Sequence, residues 1–477
     1  MVRPTPLDTD VCVVGAGPAG ACHALRVAQL GHRVTLIERR PFPRKHLGES
    51  LTPGVRPLLE SLGAADVFAQ AGRVPVRQVD VRWGAHHAPR IDPRATGSLV
   101  DRAQFDQALV EVAVRAGVTL LQPAHVQTQV REGNGWHLTV DTPSGPADLR
   151  ARYLSFATGR AGATMATRNP TDPRTVAVYG YWRGPGLPDV PRIQSGPEEW
   201  LWSVPLPDGT TNVLVFVDVA RLGGLTGAHL LAWYKAEVMA SGMISTATAE
   251  LDSDVRAAEA TPFLDADPVD EWQIKVGDAA CALDPLSSSG VQKAIQSAAA
   301  GALVVNTILR RPGAMDGAIR FYRDALARTA RRHATWSANH YAEAMAAHSG
   351  TFWIERSAGA EPLVDEPELA PPPVDATLGV SASVRITEEP CLVGDFVEIR
   401  PAVHHPRLED PIVFVGGVEL APTLARLSRP LPAAEIVRAL AKGLPADRAV
   451  ALTSWLYRNG LLEVQAEPRP AALAAAR

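Results

Sequence analysis

Only four cysteines occur in this chain, Cys12, Cys22, Cys281 and Cys391, and no two of them form a C-x-x-C pair. That scatter suggests neither a disulfide framework nor a zinc site, no metal is expected, and a reducing compartment fits. A basic excess is also lacking: 47 Lys and Arg stand against 51 Asp and Glu, a formal net charge of −4. A protein held to nucleic acid through phosphate contacts would show the opposite balance, so no nucleic-acid partner is expected. No apolar run reaches the ~18 residues that a membrane span needs. Met1 to Asp10 lacks the charged-then-apolar order of a signal peptide, so the expected location is the cytoplasm. There is no internal repeat.

What is present begins with Val11-Cys12-Val13-Val14, a strand that runs into Gly15-Ala16-Gly17-Pro18-Ala19-Gly20. A helix-period stretch, Ala21 to Leu30, stops at Gly31, and a second strand, Arg33 to Ile37, is closed by Glu38. In such a β-α-β unit Gly15 permits the tight turn, Gly17 and Ala19 let a pyrophosphate approach, and Gly20 lets the helix pack on the strand. The helix N-terminus offers free N–H groups and the positive end of its dipole. Glu38, 18 residues after Gly20, stands where a carboxylate accepts from a ribose hydroxyl. Arg39 beside it is a further candidate. A glycine turn that binds nothing explains the loop alone, but not the strand, helix and acid together.

A dinucleotide could be NAD or FAD, and a second segment separates them. Trp272–Val276 reads as a strand, followed by Gly277-Asp278-Ala279-Ala280 and Asp284-Pro285-Leu286-Ser287-Ser288-Ser289-Gly290. This resembles the second FAD fingerprint of aromatic-hydroxylase flavoproteins. The resemblance implies that Asp278 holds the ribityl chain and that the stretch from Pro285 through Ser289 to Gly290 runs beside the isoalloxazine ring. Gly290 opens a long helix whose first N–H groups can stabilise charge on the N1–O2 edge of a reduced flavin. The three serines have the alternative of capping that helix and nothing more. Thr158-Gly159 resembles a further element of that family near the adenosine half. Arg102 sits where such enzymes place a cofactor-contacting arginine, its alternative being a surface ion pair with Asp106, four residues on.

Trp200-Leu201-Trp202-Ser203-Val204-Pro205 is similar to the W-x-W-x-I-P signature of flavin-dependent halogenases, as is Gly48-Glu49-Ser50 with Thr52-Pro53 and Leu58-Leu59. The resemblance runs over about residues 8–345. It makes Glu49 and Ser50 cofactor candidates and Trp200 and Trp202 substrate candidates; the alternative for the tryptophans is two core aromatics on one strand face. Two halogen-handling residues are absent, however. The stretch Val74–Val79 holds no lysine, and Arg77 cannot replace one because a guanidinium stays protonated. Ser287 stands where tryptophan halogenases carry a glutamate. The expected chemistry therefore moves from halogen to oxygen: a flavin C4a-hydroperoxide, made from reduced FAD and dioxygen, attacking an electron-rich ring. Halogenation is the runner-up, and a saturase of the geranylgeranyl reductase type and a non-catalytic flavin-binding maturation chaperone are further alternatives. His46, His86, His87 and Asp284 are candidate acids or bases. No second glycine fingerprint exists for a nicotinamide, so NAD(P)H either binds transiently or acts through a separate flavin reductase.

The fold expected is α/β: a Rossmann-type FAD-binding domain (1–160 and 271–357) with an inserted mainly-β substrate domain (161–270), whose sheet residues 74–100 join. A linker, 358–375, leads to a small α+β, winged-helix-like domain, 376–477, whose last ten residues read as frayed. Helix Ala446–Asn459 carries only Arg448 and Arg458 against Asp447, so that domain reads as a protein- or peptide-docking module, with plain packing or dimerisation as the alternative. A halogenase-like flavoprotein without the lysine and with such a module resembles the flavoprotein monooxygenases that mature quinone cofactors. These hydroxylate a tryptophan within a protein, such as the precursor of cysteine tryptophylquinone. The partners implied are dioxygen and an aromatic substrate, a protein-borne tryptophan among the candidates.

Overall fold

The run Val11-Cys12-Val13-Val14 becomes the centre of a sheet because strands flank it on both sides. In this computed structural model, which describes residues 7–44, 46–94, 97–162, 167–361, 376–427 and 429–465, Leu7–Val14 pairs in parallel with Val34–Ile37 and with Gly145–Phe156. Both faces of a parallel strand are covered, which is why it reads as a continuous apolar run. Thr119–Leu121 extends the sheet on one side. On the other, Gly145–Phe156 carries the antiparallel pair Gly135–Thr142 and His125–Glu132, and beyond that pair's end the parallel strand Gln273–Lys275.

The first helix is Pro18–Gln29. It starts earlier than the Ala21 expected from periodicity, because proline suits a first-turn position where no N–H is needed. It packs on the 21-residue helix Gly290–Arg310. His23 joins the two and the sheet: Nδ1 lies 3.0 Å from the Ala298 carbonyl and Nε2 3.0 Å from Ser155 Oγ. Burial pushes its pKa down to about 4, so the imidazole is a neutral strut.

A second sheet runs Glu250–Leu251, Thr175–Arg183, Thr211–Asp218, Glu199–Pro205, Arg192–Ser195, Gln78–Trp83, His86–Ile91, with Arg256–Glu259 also on Thr175–Arg183. Val213, Val215 and Val217 face the core under the helix Gly227–Ser241, where Tyr234 and Val238 are buried. Leu214 and Phe216 face the opposite way, toward Trp83, Trp200, Tyr341 and Trp353. Strands dominate 161–270 as expected, and an element not expected there is the 15-residue helix Gly227–Ser241. Leu230, Leu231 and Trp233 put apolar groups on several of its faces, which blurs the 3.6-residue period.

Stretch 74–100 divides. Gln78–Trp83 runs parallel to Arg192–Ser195 in the second sheet. Val74–Val76 instead pairs with Gly97–Leu99, which also holds Ser50–Leu51.

Contacts divide the chain into two units, Met1–Pro362 and Leu363–Arg477. In the second, Thr377–Val380 lies between Leu431–Pro432 and Leu462–Val464, and the hairpin Arg385–Val393 with Phe396–His404 turns at Gly394. Helices Leu420–Ala425, Ala433–Leu440 and Ala446–Arg458 bury Leu424, Ile436, Leu452 and Leu456 against Leu378 and Leu462. Residues 362–375 of the expected linker and the last ten residues lie outside the described residues. Among the described residues no helix is long and apolar enough to cross a membrane.

Candidate active site

The carboxyl ends of three parallel strands bring the glycine turn, Glu38 and Thr158-Gly159 together. Gly15 has φ +100°, and a Cβ there would sit 2.5 Å from the Ala157 carbonyl oxygen. At Gly20 a Cβ would sit 1.8 Å from the Gly15 oxygen. Glu38 is buried and accepts from Ala16 N–H at 3.0 Å and Arg40 N–H at 2.9 Å. Arg39 is exposed. Arg44, which sequence reasoning missed, places Nη2 3.7 Å from Glu38 and 3.8 Å from Asp106. Only its position soon after the second strand could have signalled it.

Asp106 is fully buried and pairs with Arg102 at 2.9 Å. The surface ion pair weighed for Arg102 is therefore a buried one, because the first turn of Arg102–Arg115 packs under the Gly48-Glu49-Ser50 loop. Arg102 Nη1 donates to the carbonyls of Leu47 and Gly48 at 2.5 and 3.3 Å. Glu49 is buried and accepts from Tyr181 OH at 2.9 Å and Asn212 Nδ2 at 3.2 Å; burial raises its pKa. Thr52, two residues beyond Ser50, donates to Gln292 in the first turn of Gly290–Arg310 at 2.6 Å.

Gly277, at φ +64°, comes so close to the first helix that a Cβ would meet Ala19 Cβ at 2.5 Å. Asp278 follows, 2.6 Å from Lys293 Nζ and 3.4 Å from Arg160 Nε. Burial works against its charge, but the Lys293 and Arg160 cations prevail and hold its pKa below the ordinary value. Pro285 opens a short 3-10 turn, Pro285–Ser287, whose preceding Asp284 accepts from Leu286 N–H at 2.8 Å and Tyr341 OH at 2.9 Å. Capping of the helix, the alternative weighed for the serines, does not occur at its N-cap. Ser289 is the N-cap of Gly290–Arg310 yet makes no side-chain cap bond, because its hydroxyl meets Ser287 and His333 instead.

The two tryptophans separate. Trp200 is 1% exposed, stacked on Phe216 at 3.8 Å and edge-on to Trp83, so it is core and has no face for a substrate. Trp202 is half-buried and joins Leu47, Val81, Tyr179, Ile193 and Leu286 in an apolar layer over that core. Trp200→Ala is expected to cost about 3–5 kcal/mol and Trp202→Ala clearly less; denaturant unfolding checks the order, and equal losses would contradict it. His86 and His87 are exposed on an edge strand, and the ring of His46 bonds the neighbouring Leu47 carbonyl.

Asp172, also missed, has a buried Oδ2 with no hydrogen-bond partner. Burial first, then the nearby Asp284 carboxyl, push its pKa up to about 7 against the opposing pull of Arg356. The folded protein then holds a proton that the unfolded chain has lost, so this group's contribution to stability falls as pH rises from about 4 to about 7. Asp172→Asn is expected to flatten that decline in a pH series of melting temperatures; an unchanged slope would refute the assignment.

The cluster fits a flavin dinucleotide. Buried polar atoms stand without partners at Thr158 Oγ1 and Arg44 Nε. A Cβ on Gly17 would meet only Arg44 Nη2, at 3.7 Å, and one on Gly290 nothing within 4 Å, so both helix starts face open space.

Comparison with known proteins agrees. Residues 10–168 match the FAD dependent oxidoreductase family. A tryptophan 2-halogenase of Chondromyces crocatus is 28% identical over 383 residues, 75% of this chain and 72% of that protein. The solved structure of a peptidyl tryptophan dihydroxylase essential for tryptophylquinone cofactor biogenesis is 28% identical with a TM-score of 0.72, covering 95% of this chain and 100% of its own. A flavin-dependent halogenase structure at 20% identity, TM-score 0.77, covering 98% of this chain and 99% of its own, shares the fold. The chain is an FAD-dependent enzyme, similar to the halogenase-like flavoprotein class. Within that class it is similar, along almost its whole length, to the dihydroxylase.

Proposed function

We propose that this enzyme is a monooxygenase that hydroxylates an aromatic ring, the indole of a tryptophan already built into a peptide or protein, during quinone cofactor biogenesis. The observation that carries this reading is the likeness to the peptidyl tryptophan dihydroxylase over 95% of the chain, the second unit included. When bound and reduced, FAD supplies the electrons with which dioxygen is activated.

In this reading Gly15, Gly17, Ala19 and Gly20 seat the pyrophosphate at the start of Pro18–Gln29. Glu38 takes the ribose hydroxyls, with Arg39, Arg44, Thr158 and Gly159 along the adenosine half. Asp278, kept ionised by Lys293 and Arg160, accepts from the ribityl hydroxyls. Glu49, Ser50 and the Arg102-held loop close one side, and Pro285, Ser289 and Gly290 lie beside the ring. The layer with Trp202, Tyr179 and Leu286 holds the aromatic substrate and excludes water. NAD(P)H provides electrons, directly or through a separate flavin reductase.

Halogenation remains the second reading because of the 28% identity to the tryptophan 2-halogenase. Against it, Val74–Val79 has no lysine and Arg77 is exposed. The test is to mix the reduced, FAD-loaded protein with oxygen, chloride, bromide and tryptophan-bearing peptides, and read product masses. One or two added oxygen atoms support the proposal. An added halogen replaces it with the second reading, and unmodified peptides count against the indole substrate.

A further inference from the structure

Ser287, Ser289 and His333 form a hydrogen-bonded cluster in which the roles above use Ser289 alone. Ser287 Oγ lies 2.6 Å from His333 Nε2 and 2.6 Å from Ser289 Oγ, and Ser289 Oγ lies 3.3 Å from the same nitrogen. The residue between the serines, Ser288, has φ +52°, the only positive φ outside glycine among the described residues. A strained residue of this kind persists where its surroundings require one geometry, and here the turn brings both hydroxyls to one imidazole. Neither hydroxyl caps the helix that follows. Leu286, immediately before Ser287, belongs to the apolar layer assigned to the substrate.

We infer that His333, acting through Ser287, takes up the proton that the aromatic ring loses at the carbon that receives oxygen. The inference rests on the monooxygenase reading. One oxygen atom of dioxygen forms a C–O bond to the ring, the C–H bond breaks, and its electron pair returns to the ring. Reduced flavin supplies two electrons, and the second oxygen atom leaves as water. The ring proton passes to Ser287 Oγ as the Ser287 hydroxyl proton passes to His333 Nε2.

This direction requires Nε2 to be a bare acceptor. Burial, then the Lys293 charge, push the His333 pKa down to about 4 and keep the ring neutral. Other groups nearby are committed: Lys293 to Asp278, and Asp284 to Leu286 N–H and Tyr341 OH. Trp336, whose ring centroid lies 5.5 Å from that of His333, is 38% exposed, so the cluster lies close to solvent.

His333 is thus a positioning and relay residue, and two measurements on the full-length protein test it. In the first, photoreduced FAD-loaded wild type, His333→Ala, His333→Gln, Ser287→Ala and Ser287→Thr react with oxygen and N-acetyltryptophanamide. His333→Ala and Ser287→Ala are expected to lose about a hundredfold in oxygenated product while retaining FAD and consuming oxygen to hydrogen peroxide. Ser287→Thr should keep most activity, and added imidazole should restore His333→Ala in proportion to its neutral fraction. Undiminished product in His333→Ala, or a loss that imidazole leaves untouched, overturns the inference.

In the second, nitrogen NMR of labelled histidines, assigned with His333→Gln, should show Nε2 of His333 unprotonated and its ring titrating, like that of buried His23, well below the ordinary imidazole range. A protonated Nε2 at neutral pH overturns the relay whatever the probe does. Wild type that makes no product while Nε2 is bare counts against the indole reading and leaves the acceptor geometry supported, so the two failures are distinct.

Discussion

A Gly20→Ala variant is expected to lose its flavin and most of its folded protein. A single methyl at that position would stand 1.8 Å from the Gly15 carbonyl oxygen and 3.0 Å from Ala157 Cβ. Those neighbours are the turn itself and the end of the adjacent strand, so relief requires moving backbone that is hydrogen-bonded: Gly15 N–H donates to the Ile37 carbonyl at 2.8 Å and Ala157 N–H to that of Val14 at 2.8 Å. Interior packing tolerates little such shift. Visible absorbance of the purified protein and titration of its apo form with FAD give the result. A yellow variant with full FAD content would mean that the turn is not the pyrophosphate seat. Gly313→Ala is the control, since a Cβ there meets nothing within 4 Å and the residue has no part in the cofactor site.

Removing the Arg102 guanidinium is expected to cost about 3–5 kcal/mol of stability, the scale seen when one partner of a buried ion pair is lost. Arg102 is 5% exposed and Asp106 0%. Arg102→Ala strands the Asp106 carboxylate with only Arg44, at 3.8 Å, as a cation. It also removes the donors to the Leu47 and Gly48 carbonyls, so the loop that carries Glu49 should loosen and FAD affinity fall with stability. Denaturant unfolding of Arg102→Ala, Asp106→Ala and the double variant gives the coupling. A double variant as unstable as the sum of the singles would show that the pair is not coupled.

Much of the cofactor-binding half was legible because its signals are local. A turn that needs φ +100° at Gly15, a helix starting at Pro18 and an acid ending the next strand all lie within 24 residues. The strand pair around Gly133-Asn134-Gly135 is equally local. Arg44, Asp172 and His333 were not legible. Each matters through residues distant in sequence: Arg44 through Asp106, Asp172 through Asp284, and His333 through Ser287. Nothing in the neighbouring sequence of an arginine, aspartate or histidine states which partner a packed helix will bring to it.

Trp200 and Trp202 show the same limit from the other side. Their spacing by two places both rings on one strand face, as period-two geometry demands. Whether a ring meets Phe216 or the open apolar layer depends on how the second sheet lies against Tyr341, Phe352 and Trp353. Sequence alone therefore determined the dinucleotide turn, the flavin fingerprint and the absence of a lysine from Val74–Val79, since bonded geometry and residue chemistry suffice for these. Tertiary structure alone decided that the serines before Gly290 turn to His333 rather than cap a helix, that the Arg102–Asp106 pair is buried, and that Trp202 rather than Trp200 reaches the apolar layer. Those outcomes depend on desolvation and on contacts between elements far apart in the chain, which no local pattern encodes.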